Sequence, residues 1–534
     1  MQSERQQDEH CEWWLVAAVC FAALTASIAN LLNYGEYTRV GWEIVIVIAG
    51  CAPVAIAMAL IVRLAQPRLS FLFIGLFIAL FADFNAELSA PWFLAIAAVA
   101  AGLARFRETA TVKLAGVIFA TILVFQSFEL MNAGDSPTPE RNEAARQQDP
   151  QGVERTRPAI VHLMLDAYMG IEGMQVEGTD FGNLHAEQTA FFERHGFTVY
   201  PQAYSQHVKT VNSLPHIFSY GEAPLATTSR EVQYLEAPPL DYFADLDRRG
   251  YSISAATPSF VDLCVNQPMT HCANYNRSQL GDLIDLELGP FTRARIIAHT
   301  AAQLSQVSGK LVESTGLTIN RVFGTQLRRP YNETKLFPIS AMKRLESFTA
   351  DLETLGFGEV RLVHLLVPHD PYVYRPDCST KPYGEWLDEH GPGSIAAREK
   401  GYADQVRCLQ QKLEDLIAAL EKTPAGRSAI VVIHGDHGAR TIDVVPFKGG
   451  PQLSAREMAM AHSTMFAVRL PGRAPDTRFG RYSVSALMRG FERGDFRSVE
   501  IPPETPARYY LMDADWIPSE LADLPDFRPT LTKH

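Results

Sequence analysis

Asp436 and His437 stand side by side between Gly435 and Gly438. A carboxylate next to an imidazole offers one hard oxygen and one nitrogen to a divalent cation such as zinc, manganese, magnesium or calcium. Asp166 follows the apolar run 159–165, and His369 lies in a Pro-His-Asp-Pro turn after the run 360–367. An aspartate at a strand end can also cap a helix, and such a turn can be only a turn. Potential ligands at the ends of three apolar runs point instead to one cluster. Thr210 adds a hydroxyl just before the helix-like run 211–218, where a helix dipole favours an anion. A hydroxyl beside a bound cation is a candidate nucleophile for phosphoryl or sulfuryl chemistry; a plain helix-capping threonine is the alternative.

The elements that must hold these residues are short and apolar. Ile430, Val431, Val432 and Ile433 form a β-branched run that predicts a strand buried on both faces, as in a parallel sheet. Ligands of open α/β sheets gather at the carboxyl ends of the strands, where Asp436 and His437 fall. The flanking glycines are expected to allow a tight turn. Further strands are expected at 159–165, 196–200, 360–367 and 465–470, and helices at 187–195, 341–355 and 403–420. Strands alternating with helices imply an α/β domain with a largely parallel sheet. Lys209 is expected to be solvated, and His434 to be structural.

The 534 residues leave room for two or three domains, and a formal charge of −12 argues against a nucleic-acid partner. The runs 13–32, 44–62 and 114–131 are each about the 20 residues needed to cross a bilayer. Two shorter runs, 69–82 and 91–104, complete a five-span reading, with buried core helices as their alternative. Arg63 and Arg68 follow the second run; Arg105, Arg107 and Lys113 follow the fourth. The positive-inside rule places these basic stretches in the cytoplasm and everything after the fifth span outside. The expected organisation is a multi-span membrane domain at 1–131, a polar linker at 132–157 and an external domain at 158–534. The run 293–311 is expected to pack as a helix of the external domain, with a helix lying on the membrane surface as its alternative. Outside the membrane part stand Cys264, Cys272, Cys378 and Cys408, an even number suited to two disulfides in an oxidising compartment. Cys264 with Cys272 closes a short loop, which leaves Cys378 with Cys408; free buried thiols are the alternative.

The order Asp166, Thr210, His369, Asp436-His437, His462 resembles the alkaline-phosphatase-like superfamily. Within it the chain is similar to the membrane-bound phosphoethanolamine transferases and lipoteichoic acid synthases, with five spans ahead of an external catalytic domain. Thr210, Ser213 and Pro215 reproduce the nucleophile motif of the phosphoethanolamine transferases. Asp166 stands where those enzymes usually have Glu, and His216 where they have a disulfide cysteine. The phrase Val367-Pro368-His369-Asp370-Pro371-Tyr372 is closer to sulfatase-type hydrolases, yet no outer cysteine begins the sulfatase nucleophile motif. The resemblance implies an α/β alkaline-phosphatase-like fold and one divalent cation on Asp166, Thr210, Asp436 and His437. It implies that Thr210 is the nucleophile and that His369 and His462 bind substrate. The implied reaction transfers a phospho-alcohol head group from a membrane lipid donor to an envelope glycan or lipid acceptor at the inner membrane. A sulfatase-like hydrolase and a non-catalytic envelope scaffold are the alternatives.

Overall fold

The computed structural model describes residues 12–39, 41–65, 68–86, 89–132, 157–223, 225–228, 235–276, 279–303, 336–387, 393–439, 441–442, 445–499 and 501–527. Apart from its two end residues, the expected linker lies outside them. The chain forms two compact units: Met1–Gln147 with Gln279–Lys335, and Gln148–Ser278 with Leu336–His534.

The first unit is helical. Its helices are Trp13–Tyr34, Trp42–Leu64, Ser70–Ala86 and Ala90–Asn132. By length and composition three can cross a membrane: Trp13–Tyr34, Trp42–Leu64 and Ala90–Phe128. The expected fourth and fifth spans are two helical segments that meet at Arg107, whose backbone is not helical (φ −146°, ψ 62°), so the basic stretch between them is an abrupt break and not a long loop. Physically, residues 103–115 contain neither glycine nor proline to end the helix.

The segment expected inside the external domain behaves differently. Helix Pro290–Gln303 packs on Trp13–Tyr34 and Trp42–Leu64, with Ile296 and Ile297 fully buried. Arg293 donates from Nε to Leu283 O (3.2 Å) and from Nη2 to Ile284 O (3.1 Å) and Leu286 O (2.7 Å). The Gly281 amide donates to Gly35 O at 2.7 Å, and Gln279 donates to Glu36. Residues 279–335 thus group with the helices, and the α/β unit is not the single stretch 158–534. An apolar helix face needs a partner, and this one finds it on other apolar helices.

The second unit is built on eight strands: β1 Ile160–Leu165, β2 Phe197–Val199, β3 Ser252–Pro258, β4 His271–Tyr275, β5 Glu359–Leu365, β6 Ile430–Gly435, β7 Phe466–Arg469 and β8 Asp476–Thr477. Their order in the sheet is β8-β2-β7-β6-β1-β5-β3-β4. Only β7 runs against its neighbours. Every residue of β1 and β6 is buried, as their unbroken apolar runs predict. Helices Leu184–Arg194, Phe337–Asp351 and Ile395–Leu420 are among those of the α/β unit. The last begins eight residues before its predicted start, where Ser394 Oγ accepts from the Ala397 amide as an N-cap. Cys264 pairs with Cys272 and Cys378 with Cys408.

Candidate metal centre

Strands β1 and β6 are parallel neighbours in the register Leu165↔Gly435. The next residues, Asp166 and Asp436, therefore leave the sheet side by side. His437 Nε2 lies 3.4 Å from Asp166 Oδ1 and 3.4 Å from Asp436 Oδ2. Thr210 Oγ1 donates to Asp166 Oδ2 at 3.3 Å and is 3.5 Å from His437 Nε2. All four side chains are buried.

Asp436 and His437 are held from behind. Asp436 Oδ1 accepts from the amides of Ala167 (3.0 Å) and His437 (2.9 Å). His437 donates from Nδ1 to Gly438 O at 2.8 Å, so the neutral ring turns the Nε2 lone pair toward both carboxylates. Asp436 Oδ2 is buried and accepts no hydrogen bond among the described residues. Burial alone would raise the Asp436 carboxyl; His437, His364, the Ala167 amide and Thr210 overcome it and hold it below the usual range. Lone pairs converging on one buried point repel one another unless a cation sits between them. The donor set, two carboxylates with an imidazole and a hydroxyl, fits a hard or borderline divalent cation.

The glycines serve a different purpose from the expected tight turn. A Cβ on Gly435 would stand 2.3 Å from Thr464 Oγ1 and 2.5 Å from Tyr168 O; one on Gly438 would stand 2.1 Å from Met460 O. Close backbone approach, and not a positive φ, requires them. The left-handed residue is Ala167 (φ 62°), directly after Asp166, a strained position of the kind found at functional sites.

Thr210 opens helix Thr210–Phe218, and Lys209 occupies the N-cap position without a side-chain cap bond. The threonine hydroxyl faces the cluster instead of capping. Ser213 Oγ donates to Lys209 O at 3.0 Å, so the serine of the motif ties down the first turn. Lys209 is not solvated as expected: its Nζ lies 4.1 Å from the centre of the Trp516 ring.

His369 and His462 stand outside the tight group. His369 Nδ1 is 2.8 Å from Asp370 Oδ1 and 2.8 Å from Asp370 O, and its ring meets Phe337 edge-on at 5.6 Å. His462 ends helix Ala455–His462 and donates from Nδ1 to Ser205 O at 2.9 Å; its buried Nε2 has no hydrogen-bond partner among the described residues. Burial pushes His462 down to about 4. His434 is structural as expected, buried 5.0 Å from His162 and 6.1 Å from Phe466, ring to ring.

Sequence reasoning overlooked the residues that hold the ligand loops. Tyr402 Oη accepts from the Met169 amide (2.8 Å) and donates to Ala167 O (3.1 Å). One turn on, Gln405 donates to His369 O (2.8 Å) and Pro368 O (3.2 Å) and accepts from the Val373 amide (2.9 Å). One face of helix Ile395–Leu420 thus clamps the loops after both β1 and β5. The available signal was a fully buried-looking Gln among Tyr402, Val406 and Leu409 on an amphipathic face. His207, three residues before Thr210, was missed as well. Its ring stacks on Tyr510 at 4.6 Å and meets His216 edge-on at 4.7 Å. His216 Nε2 shares a 2.9 Å hydrogen bond with Gln206 Oε1.

No protein-family model and no curated protein sequence matches the chain. Among solved structures, the phosphonate monoester hydrolase of Agrobacterium radiobacter is similar at 13% identity and a TM-score of 0.42, over 67% of this chain and 80% of that one. The C-terminal periplasmic domain of EcEptC from Escherichia coli is similar at 13% identity and 0.37, over 69% and 92%. A 2-O GAG sulfatase is similar at 11% identity and 0.35, over 65% and 72%. The chemistry of the site rests on the side chains above.

Proposed function

We propose that this protein is a membrane-anchored, metal-dependent phosphotransferase that moves a phospho-alcohol head group, phosphoethanolamine or phosphoglycerol in type, from a membrane lipid to an envelope acceptor. The observation that carries this reading is the convergence of Asp166, Asp436 and His437 around the Thr210 hydroxyl. A divalent cation held by these four would lower the threonine pKa and polarise a phosphoryl oxygen.

Thr210 Oγ bonds to phosphorus as its proton passes to solvent, and the bond from phosphorus to the lipid oxygen breaks; that oxygen leaves as an alcohol after taking up a proton. In the second displacement an acceptor hydroxyl bonds to phosphorus and gives up its proton, the bond from phosphorus to Thr210 Oγ breaks, and that oxygen takes up a proton. His462, with Nδ1–H committed to Ser205 O and Nε2 without a partner among the described residues, would bind a phosphoryl oxygen or carry the proton to the leaving group. His369, oriented by Asp370, would bind the substrate's phosphoryl oxygens.

The catalytic region lies outside the cytoplasmic membrane in this reading. The loop after Trp13–Tyr34 and residues 279–281 meet through Gly281 and Gly35, so both stand on one side. That side is opposite Arg63 and Arg68, as the charge rule requires. Both disulfides agree with an oxidising compartment.

The test is to expose the protein to lipid donor without acceptor and isolate a phosphorylated peptide containing Thr210, with metal analysis of the same sample. Release of head group to water at the same rate with and without acceptor would favour the hydrolase. Absence of both metal and modified peptide would leave a scaffold.

A further inference from the structure

The helical unit contains a cavity of about 500 Å³, within the roughly 300–1,000 Å³ common for small-molecule sites. Three walls come from Trp13–Tyr34, Trp42–Leu64 and Ser70–Ala86, and the fourth from helix Pro290–Gln303. That last helix presents Ala294, Ala298 and Ala301, and these small side chains leave the space. On the facing helix, a Cβ added to Gly50 would meet nothing within 4 Å. The lining is otherwise apolar apart from Ser27 and Arg295.

Its depth in the membrane follows from the topology. Leu24 to Leu31 lie toward the outer end of the first helix, Ile46 to Val54 toward the outer end of the second, and Phe84 at the outer end of the third. Leu24 to Leu31 span about 10 Å at 1.5 Å per residue, against about 15 Å for one leaflet's hydrocarbon. The cavity thus occupies the outer leaflet, where an apolar slot is filled by an acyl chain and a guanidinium at its edge attracts a phosphodiester.

We infer that this groove binds the donor: a glycerophospholipid whose acyl chain lies between Gly50 and Ala298 and whose phosphodiester meets Arg295. The inference rests on the lipid-donor reading above and adds where that lipid is held. Charge complementarity selects a phospholipid over a neutral lipid or an additional helix.

The experiment uses the full chain in vesicles of phosphatidylethanolamine and phosphatidylglycerol, doped with phospholipid carrying a diazirine in its acyl chain. After photolysis, label should concentrate on peptides containing Gly50 and Ala298. Gly50→Leu, whose Cβ meets no protein atom within 4 Å and whose longer side chain enters the groove, should cut that label about tenfold. It should raise KM for vesicle donor about tenfold at unchanged kcat, while a soluble head-group diester without acyl chains turns over as before. Arg295→Gln should weaken labelling by phospholipid but not by a diazirine diacylglycerol. Thr210→Ala protein should label like the native chain, because labelling needs no turnover; that separates a failed chemistry from a failed groove. Label spread evenly over exposed positions such as Leu103 and Val117, or unchanged by Gly50→Leu, would overturn the inference.

Discussion

The strand ends of the α/β unit and the groove of the helical unit are built on opposite plans. At the strand ends four reactive side chains meet because two parallel strands share a register and Asp436 and His437 are hydrogen-bonded from behind. In the groove the working feature is empty space, left by Gly50, Ala294, Ala298 and Ala301, with one charge beside it. A site made of directed lone pairs fails when one atom changes. A site made of volume changes by degrees.

The sharpest test of that contrast is Thr210→Ala, which removes the nucleophile and one ligand and should lower turnover on the order of a thousandfold or more. Thr210→Ser should keep part of the activity; an alanine variant of near-native rate on every accepted donor would show the threonine to be a helix residue only. Asp436→Asn keeps the size of the side chain and removes its charge. It should cost about a hundredfold or more in rate and lower bound metal in elemental analysis, whereas Gly50→Leu should leave metal content unchanged.

Next in size are the changes that move ligands without altering them. Gly438→Ala forces a Cβ against Met460 O and should cost about 1–3 kcal/mol in a denaturant titration, with weaker metal binding. Gln405→Leu leaves the amide of Val373 and the carbonyls of Pro368 and His369 without their partner. A loss of about 1–3 kcal/mol is expected, with KM for donor rising more than kcat falls; equal KM in variant and native protein would deny Gln405 a positioning role.

A further contrast is one of pH. His364, His434 and His462 are buried and each held down to about 4, while the unfolded chain titrates near 6.5. As pH falls below 6.5 the unfolded state takes up protons that the folded state refuses until about 4. The stability these groups contribute is therefore complete above 6.5 and lost between 6.5 and 4, by up to about 1.4 kcal/mol per pH unit for each group. No histidine stands between Cys11 and Asn132, so the four N-terminal helices should not share this acid sensitivity. Circular dichroism melts across that range would show it as a falling midpoint for the α/β unit alone.

Much of the α/β unit was legible because β1, β5 and β6 are apolar runs that end on their ligands. Asp166 and Asp436-His437 could be brought together on paper by the rule that parallel strands gather ligands at one end, whereas Thr210, at the start of a helix, joined them through the family resemblance. Strands β3 and β4 escaped notice because Ser252–Pro258 and His271–Tyr275 carry few β-branched residues. Tyr402 and Gln405 escaped because their role depends on which loop carbonyls they meet, a property of packing and not of helix pattern. The placement of helix Pro290–Gln303 was beyond reach for the same reason. Its amphipathic pattern says that one face is covered but not by what.

That helix has a practical consequence for dividing the protein. Because residues 279–335 lie in the middle of the α/β sequence yet group with the N-terminal helices, no single cut in the linker separates the two units. A fragment beginning at Pro158 would keep Ala294, Ile296 and Ile297 while discarding the surface that covers them. Such a fragment should need detergent to stay dispersed, and replacing 279–335 with a short polar connection should yield a soluble catalytic half that keeps both disulfides.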